Sequence, residues 1–118
     1  MIIRALCVAL AMVFAPAAAQ AHAALDRAVP PVGGTVATAP KEIVLSFTEP
    51  VEAALSSIEV RNEAGAAMQS GKAGVGSKRS QLRVGLKPLP PGTYKVIWRV
   101  LSVDTHRAQG DFSFTVGP

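Results

Sequence analysis

Two histidines and one aspartate carry the chemistry this chain can offer. The sequence holds just two histidines, His22 and His106, and Asp104 stands two residues before the second in Ser102-Val103-Asp104-Thr105-His106. In extended backbone, residues two apart point to one side. Asp104 and His106 are therefore expected to aim a carboxylate oxygen and an imidazole nitrogen at one point. His22 directly follows Ala19-Gln20-Ala21, a small-x-small site for a signal peptidase. Cleavage there makes His22 the first residue, so that one residue offers both an α-amine and an imidazole. The total is three nitrogens and one oxygen, a donor set suited to tetragonal Cu(II), which also heads the affinity order of first-row divalent ions. Zinc could use the same ligands but prefers a tetrahedron, whereas an amine–imidazole chelate sits more easily in a square plane. Each piece alone has a plainer reading. An isolated Asp-x-His in a turn is usually a solvated loop, and a histidine at a cleavage point can be coincidence.

The segment before His22 has the three zones of a secretory signal. Met1-Ile2-Ile3-Arg4 is basic, Ala5 through Phe14 is an uncharged apolar run, and Pro16 to Ala21 is rich in small residues. The apolar run is shorter than the roughly 20 residues needed to span a bilayer. The sequence thus divides into a signal peptide, 1–21, and one exported domain, 22–118. The single cysteine, Cys7, falls inside the signal, so the exported part must rely on its core or on a metal rather than on disulfides. Without Arg4 the formal charge falls from +4 to +3. The basic residues are scattered, with Lys78-Arg79 the one adjacent pair and no stripe of interleaved aromatics. That pattern argues against nucleic-acid binding, and no membrane span is expected after signal cleavage.

The elements that must position the three residues are strands. Ile43, Leu45 and Phe47 alternate with Val44, Ser46 and Thr48, the period of two expected of a half-buried strand. The same alternation marks Ile58–Arg61, Leu82–Leu86, Tyr94–Leu101 and Asp111–Val116. Turn signals separate these runs at Pro30-Pro31-Val32-Gly33-Gly34, at Asn62–Gly65 and at Pro88-Leu89-Pro90-Pro91-Gly92. Gly71 to Lys78 reads as a mobile loop. Val51 to Ser57, the best helix candidate, is too short to stand alone. About seven short strands with regular turns indicate an all-β, two-sheet antiparallel sandwich, with Tyr94 and Trp98 packed between the sheets. Such a sandwich can bring the N-terminus beside the turn after Tyr94–Leu101 if a first strand runs alongside the last two.

The chain resembles the CopC family of periplasmic copper-resistance proteins, including YobA-like domains. The resemblance is carried by His22-Ala23-Ala24-Leu25, by Pro30–Gly34, and by Ile43-Val44-Leu45-Ser46-Phe47-Thr48-Glu49-Pro50. Leu89–Arg99, Ser102–His106 and Gly110-Asp111-Phe112-Ser113-Phe114 complete it. It implies an immunoglobulin-like Greek-key sandwich and one Cu(II) ion per chain, bound in a histidine brace with His22, Asp104 and His106 as ligands. Glu49 matches an acidic position near that site, with its role as a ligand left open. Some family members carry a second, Cu(I) site built from methionines and a histidine. The stretch Ala53 to Val75 holds one methionine, Met68, and no histidine. Thioether sulfur selects Cu(I), and one thioether cannot form that site, so a Cu(II)-only protein is expected.

The implied role is copper resistance or homeostasis by sequestration or delivery, with a CopD-like inner-membrane transporter as a candidate partner and no catalysis. Two rival readings stand beside it. A metal-free sandwich serving as an interaction module explains the strands equally well. A histidine-brace copper oxygenase would need an open copper position and a broad, usually aromatic, substrate face.

Overall fold

The computed structural model describes residues 23–118. The expected signal segment with its Cys7, and His22, lie outside the described residues. Wherever apolar and polar residues alternate, the chain forms strand, because a pleated backbone then buries one set and solvates the other. The strands are β1 (Leu25–Val29), β2 (Thr35–Val36), β3 (Glu42–Phe47), β4 (Ser57–Arg61), β5 (Gln69–Val75), β6 (Gln81–Leu86), β7 (Gly92–Leu101) and β8 (Arg107–Val116). Ala53–Leu55 forms a single 3₁₀ turn, a short stand-in for the helix that Val51–Ser57 is too short to make.

Two four-stranded sheets face each other, ordered β1-β3-β6-β5 and β2-β8-β7-β4. This is the division of an immunoglobulin sandwich, with β1, β3, β6 and β5 as strands A, B, E and D, and β4, β7 and β8 as C, F and G. The expected all-β sandwich is therefore the observed fold. One strand goes beyond the expected set. β2 has two residues and runs parallel to β8, so the second sheet is mixed. Such a strand is too short for alternation to reveal, and it forms because the Pro30–Gly34 turn delivers the chain to the edge of β8. There the Gly33 amide donates to the Ser113 carbonyl at 2.7 Å.

The first strand does not run beside the last two. β1 pairs with β3, Leu25 opposite Phe47 and Val29 opposite Val44, and it is β2 that lies against β8. The expected loop at Gly71–Lys78 is also corrected. Most of it is β5, paired with β6 on either side of a register shift between Ser70 and Gly74. Backbone hydrogen bonds along β6 supply what the Gly-rich side chains cannot, and Gly71 takes the left-handed conformation at that irregularity (φ 82°).

The core lies between the sheets. Ile43, Leu45 and Phe47 from β3 meet Tyr94, Val96, Trp98 and Val100 from β7, with Phe112, Phe114 and Val116 from β8. Phe47 meets the Trp98 ring edge-on, with centroids 5.3 Å apart, and Tyr94 stacks on Phe114 at 5.6 Å. Among the described residues no helix is long and apolar enough to cross a membrane. β7 and β8 pair over ten positions, Gly92 opposite Val116 through Leu101 opposite Arg107, and this hairpin positions the candidate site at its tip. Gly110 lies opposite Trp98 in that hairpin, and a Cβ there would stand 2.5 Å from Trp98 Cζ2. Gly110→Ala should therefore displace the indole and cost about 1–3 kcal/mol, the usual range for overpacking. Urea unfolding followed by Trp98 fluorescence, the signal of the only tryptophan, measures this directly. An unchanged midpoint would show that the indole does not need the space beside Gly110.

Candidate metal centre

The tip of the β7–β8 hairpin is built around Ser102. Its backbone N–H donates to the His106 carbonyl at 2.9 Å, and its own carbonyl accepts from Thr105 N–H at 2.9 Å. The Ser102 hydroxyl donates to Asp104 Oδ1 and accepts from His106 N–H at 3.2 Å. Thr105 sits in the left-handed region with φ 71°, uncommon for a β-branched residue. Its hydroxyl donates to the Asp104 carbonyl at 2.6 Å. Asp104 and His106 thus share one side for a different reason from the one expected. They do not flank the middle residue of an extended strand. They lie in a tight turn whose left-handed Thr105 brings the two side chains together.

Asp104 Oδ2 lies 3.3 Å from His106 Nδ1, and both side chains are about half exposed, at 46% and 47%. The hydroxyl of Ser102 holds the Asp104 carboxyl below its ordinary range, with a smaller contribution from His106. The structure therefore brings together two of the three expected ligands. Among the described residues no group of three or more His, Cys, Asp or Glu is placed to hold a metal.

The start of the described chain lies at the same end of the sandwich. Ala23 is buried, and Ala24 exchanges hydrogen bonds with Thr48, its N–H to Thr48 Oγ1 at 3.0 Å and Thr48 N–H to its carbonyl at 2.9 Å. A few residues on, Val103 N–H donates to the Pro50 carbonyl at 3.1 Å and Glu52 N–H to the Leu101 carbonyl at 2.8 Å. Val51 bridges Ser102. The connector Thr48–Glu52 therefore spans from Ala24 to the hairpin tip, the juxtaposition that a neighbouring first strand was expected to provide. Glu49 is half-buried within this connector, which places its backbone at the margin of the site. Sequence alone gave Ser102 no role. Its one signal was a short hydroxyl residue two positions before the aspartate, a spacing that suits local side-chain hydrogen bonding.

A family model described as the CopC domain matches residues 25–117. The chain belongs to the CopC family. Copper resistance protein C of Escherichia coli is 35% identical over 106 residues, which cover 83% of this chain and 83% of that protein. Among solved structures, CopC from Methylosinus trichosporium OB3b matches with a TM-score of 0.77 at 36% identity, covering 82% of this chain and 95% of that one. PcoC of Escherichia coli, described as a methionine-rich copper resistance protein, matches with a TM-score of 0.72 at 34% identity, covering 81% and 99%. This CopC chain differs from that description. It has three methionines in all, and Met68, the one among the described residues, packs against the core.

The hydrogen bonding at Asp104 predicts a pH dependence in the metal-free protein. A carboxyl whose folded pKa is lowered stabilises the fold above its unfolded value, and that contribution is lost as pH falls through the lowered folded value. Carboxyl NMR should show Asp104 titrating below the ordinary 3.8. Removing the largest cause with Ser102→Ala should move the midpoint back up. An Asp104 midpoint at or above the ordinary value would contradict the hydrogen bonding described above.

Proposed function

We propose that the chain is a periplasmic Cu(II)-binding protein that holds one copper ion per chain through His22, Asp104 and His106, and sequesters or delivers it without catalysing a reaction. The carrying observation is the 3.3 Å separation of Asp104 Oδ2 and His106 Nδ1. Two donor atoms about 2 Å from a shared ion stand roughly 3 Å apart at a right angle and somewhat farther at a tetrahedral one. The pair already has nearly the spacing of neighbouring ligands on one metal. The imidazole and carboxylate also match the nitrogen and oxygen preference of Cu(II).

Three further observations support the reading. Ala24, two residues after His22 in sequence, is hydrogen-bonded to Thr48 of the connector that reaches the turn. The half-exposed pair suits an ion that must be loaded and released, and a membrane transporter of the CopD-like kind is the receiving partner we favour. Among the described residues Met68 is the one methionine and lies against the core, so no cluster of soft donors that would select Cu(I) is assembled there. The relatives' names, copper resistance protein C and PcoC, agree with a copper role. Against an oxygenase, Trp98 and Tyr94 are both buried and lend no aromatic face to a polysaccharide. A metal-free interaction module accounts for the Asp104–His106 spacing only as an exposed ion pair, which contributes little to stability.

The decisive experiment is Cu(II) titration into protein matured to start at His22, followed by competition with a chelator and by EPR. A single nitrogen-rich tetragonal signal is expected. His106→Ala, Asp104→Ala and a methionine placed before His22 should each weaken binding by about tenfold or more, at about 1.4 kcal/mol for each factor of ten. Affinity should also fall in acid, because copper must displace protons from the amine and imidazole nitrogens it binds. Unchanged affinity with the added methionine would remove the amine from the ligand set and with it the brace.

A further inference from the structure

We propose that Ser102 is a positioning residue of the metal site: its buried hydroxyl clamps the Asp104 carboxylate and the His106 backbone, so that both donors stand at ligand spacing before an ion arrives. The proposal rests on the reading of Asp104 and His106 as ligands.

Tyrosine and tryptophan aside, Ser102 is the one buried polar side chain among the described residues, 1% exposed. A hydroxyl in that setting is costly unless hydrogen-bonded, and this one spends its bonds on the two candidate ligand residues. Its proton has two acceptors in reach, Asp104 Oδ1 and the His106 carbonyl at 3.1 Å, and the contact with Asp104 is the closer. Its lone pairs face His106 N–H at 3.2 Å. The carboxylate held by Oδ1 turns its other oxygen, Oδ2, toward the imidazole.

A serine that merely closed the turn would not need the carboxylate. The turn is already closed by backbone bonds, Ser102 N–H to the His106 carbonyl and Thr105 N–H to the Ser102 carbonyl. The extra bond restrains a side chain that is otherwise about half exposed and would sample several rotamers. Rotamer freedom given up in the metal-free protein is not lost again when the metal binds. The clamp is itself anchored, because Ser102 bridges Val51 in the connector. The left-handed Thr105 is the kind of backbone conformation that persists only where the surroundings hold it, and the bonds to Ser102 do so. Partners of this kind, one bond removed from the metal, typically change metal affinity by about 10–100-fold when removed.

A double-mutant cycle on protein matured to His22 tests the proposal, with Ser102→Ala, Asp104→Ala and the combination. Cu(II) dissociation constants come from chelator competition, EPR spectra are recorded for each protein, and metal-free melting curves identify conditions in which all four are folded. Ser102→Ala should weaken Cu(II) binding by about tenfold or more and alter the copper hyperfine pattern. In the Asp104→Ala background the same change should cost severalfold less than in the wild type, the remainder acting through the His106 backbone, since a residue acting through a partner couples with it. A Ser102→Ala protein with wild-type affinity and spectrum would overturn the proposal. So would an equal loss in both backgrounds, which is the signature of a serine that only supports the fold. If Ser102→Ala yields no folded protein, the same cycle is run with Ser102→Cys, whose thiol is a much weaker donor and acceptor, and judged by the same coupling. Failure of the wild type to bind Cu(II) sinks the ligand assignment itself, whereas tight wild-type binding with uncoupled variants sinks the role of Ser102 alone.

Discussion

One short segment ties the functional end of this sandwich together. Thr48–Glu52 leaves β3 and does not cross directly to the other sheet. It first exchanges hydrogen bonds with Ala24 and then with Leu101 and Val103 on either side of Ser102. All but the Ala24 N–H bond to Thr48 Oγ1 join backbone to backbone, so they constrain the chain path largely whatever the exposed side chains are. The connector turns two remote pieces of sequence, the entry to the domain and the tip of its longest hairpin, into neighbours. The rest of the fold serves this arrangement. β7 and β8 pair without interruption over ten positions, and Trp98 and Phe47 lock the hairpin to the facing sheet. A turn at the end of a long, buried hairpin inherits the hairpin's rigidity, which a loop of the same sequence in solvent would lack.

Much of the fold was legible because alternation is a direct consequence of the pleat. Ile43-Val44-Leu45-Ser46-Phe47 and Tyr94–Leu101 read as strands, and the residues picked as core are core. The illegible parts are those where backbone rather than side chains decides. β2 has two residues, too few for any period, and exists because a Pro/Gly turn aims it at β8. β5 contains Gly71 and Gly74, which argue against a strand by propensity. It forms because β6 offers an adjacent row of donors and acceptors, and its register shift absorbs the misfit. The path by which the N-terminal residues reach the hairpin tip was also hidden. Alternation says which face of a strand is buried but not which neighbour it takes.

At the site the division is similar. The Asp104-x-His106 spacing was visible, and its two side chains do meet. The reason was not visible, because a positive φ at Thr105 runs against the preference of its β-branched side chain. Ser102 looked like any loop serine until its burial and its three partners were seen together. These features share one cause. They are local violations of propensity that the surrounding packing imposes, and such violations gather where a protein must hold groups in a chosen geometry.

On the proposed ligand set the donors come from opposite ends of the domain's sequence, so an ion bound there would clasp the chain's entry to the tip of its longest hairpin. Binding to the folded state alone stabilises it in proportion to the logarithm of metal concentration over Kd. The fold need not be made by the metal, however, because the core between the sheets is complete without it and the connector already holds the two regions together. That separation matters for a protein that would both take up and give up its ion. A domain assembled by its metal, as small zinc modules are, unfolds on release. A sandwich with its own core can release the ion and keep Asp104 and His106 in place for the next one. The preorganised turn lowers the cost of binding, and the exposure of its two donors leaves a route for exchange.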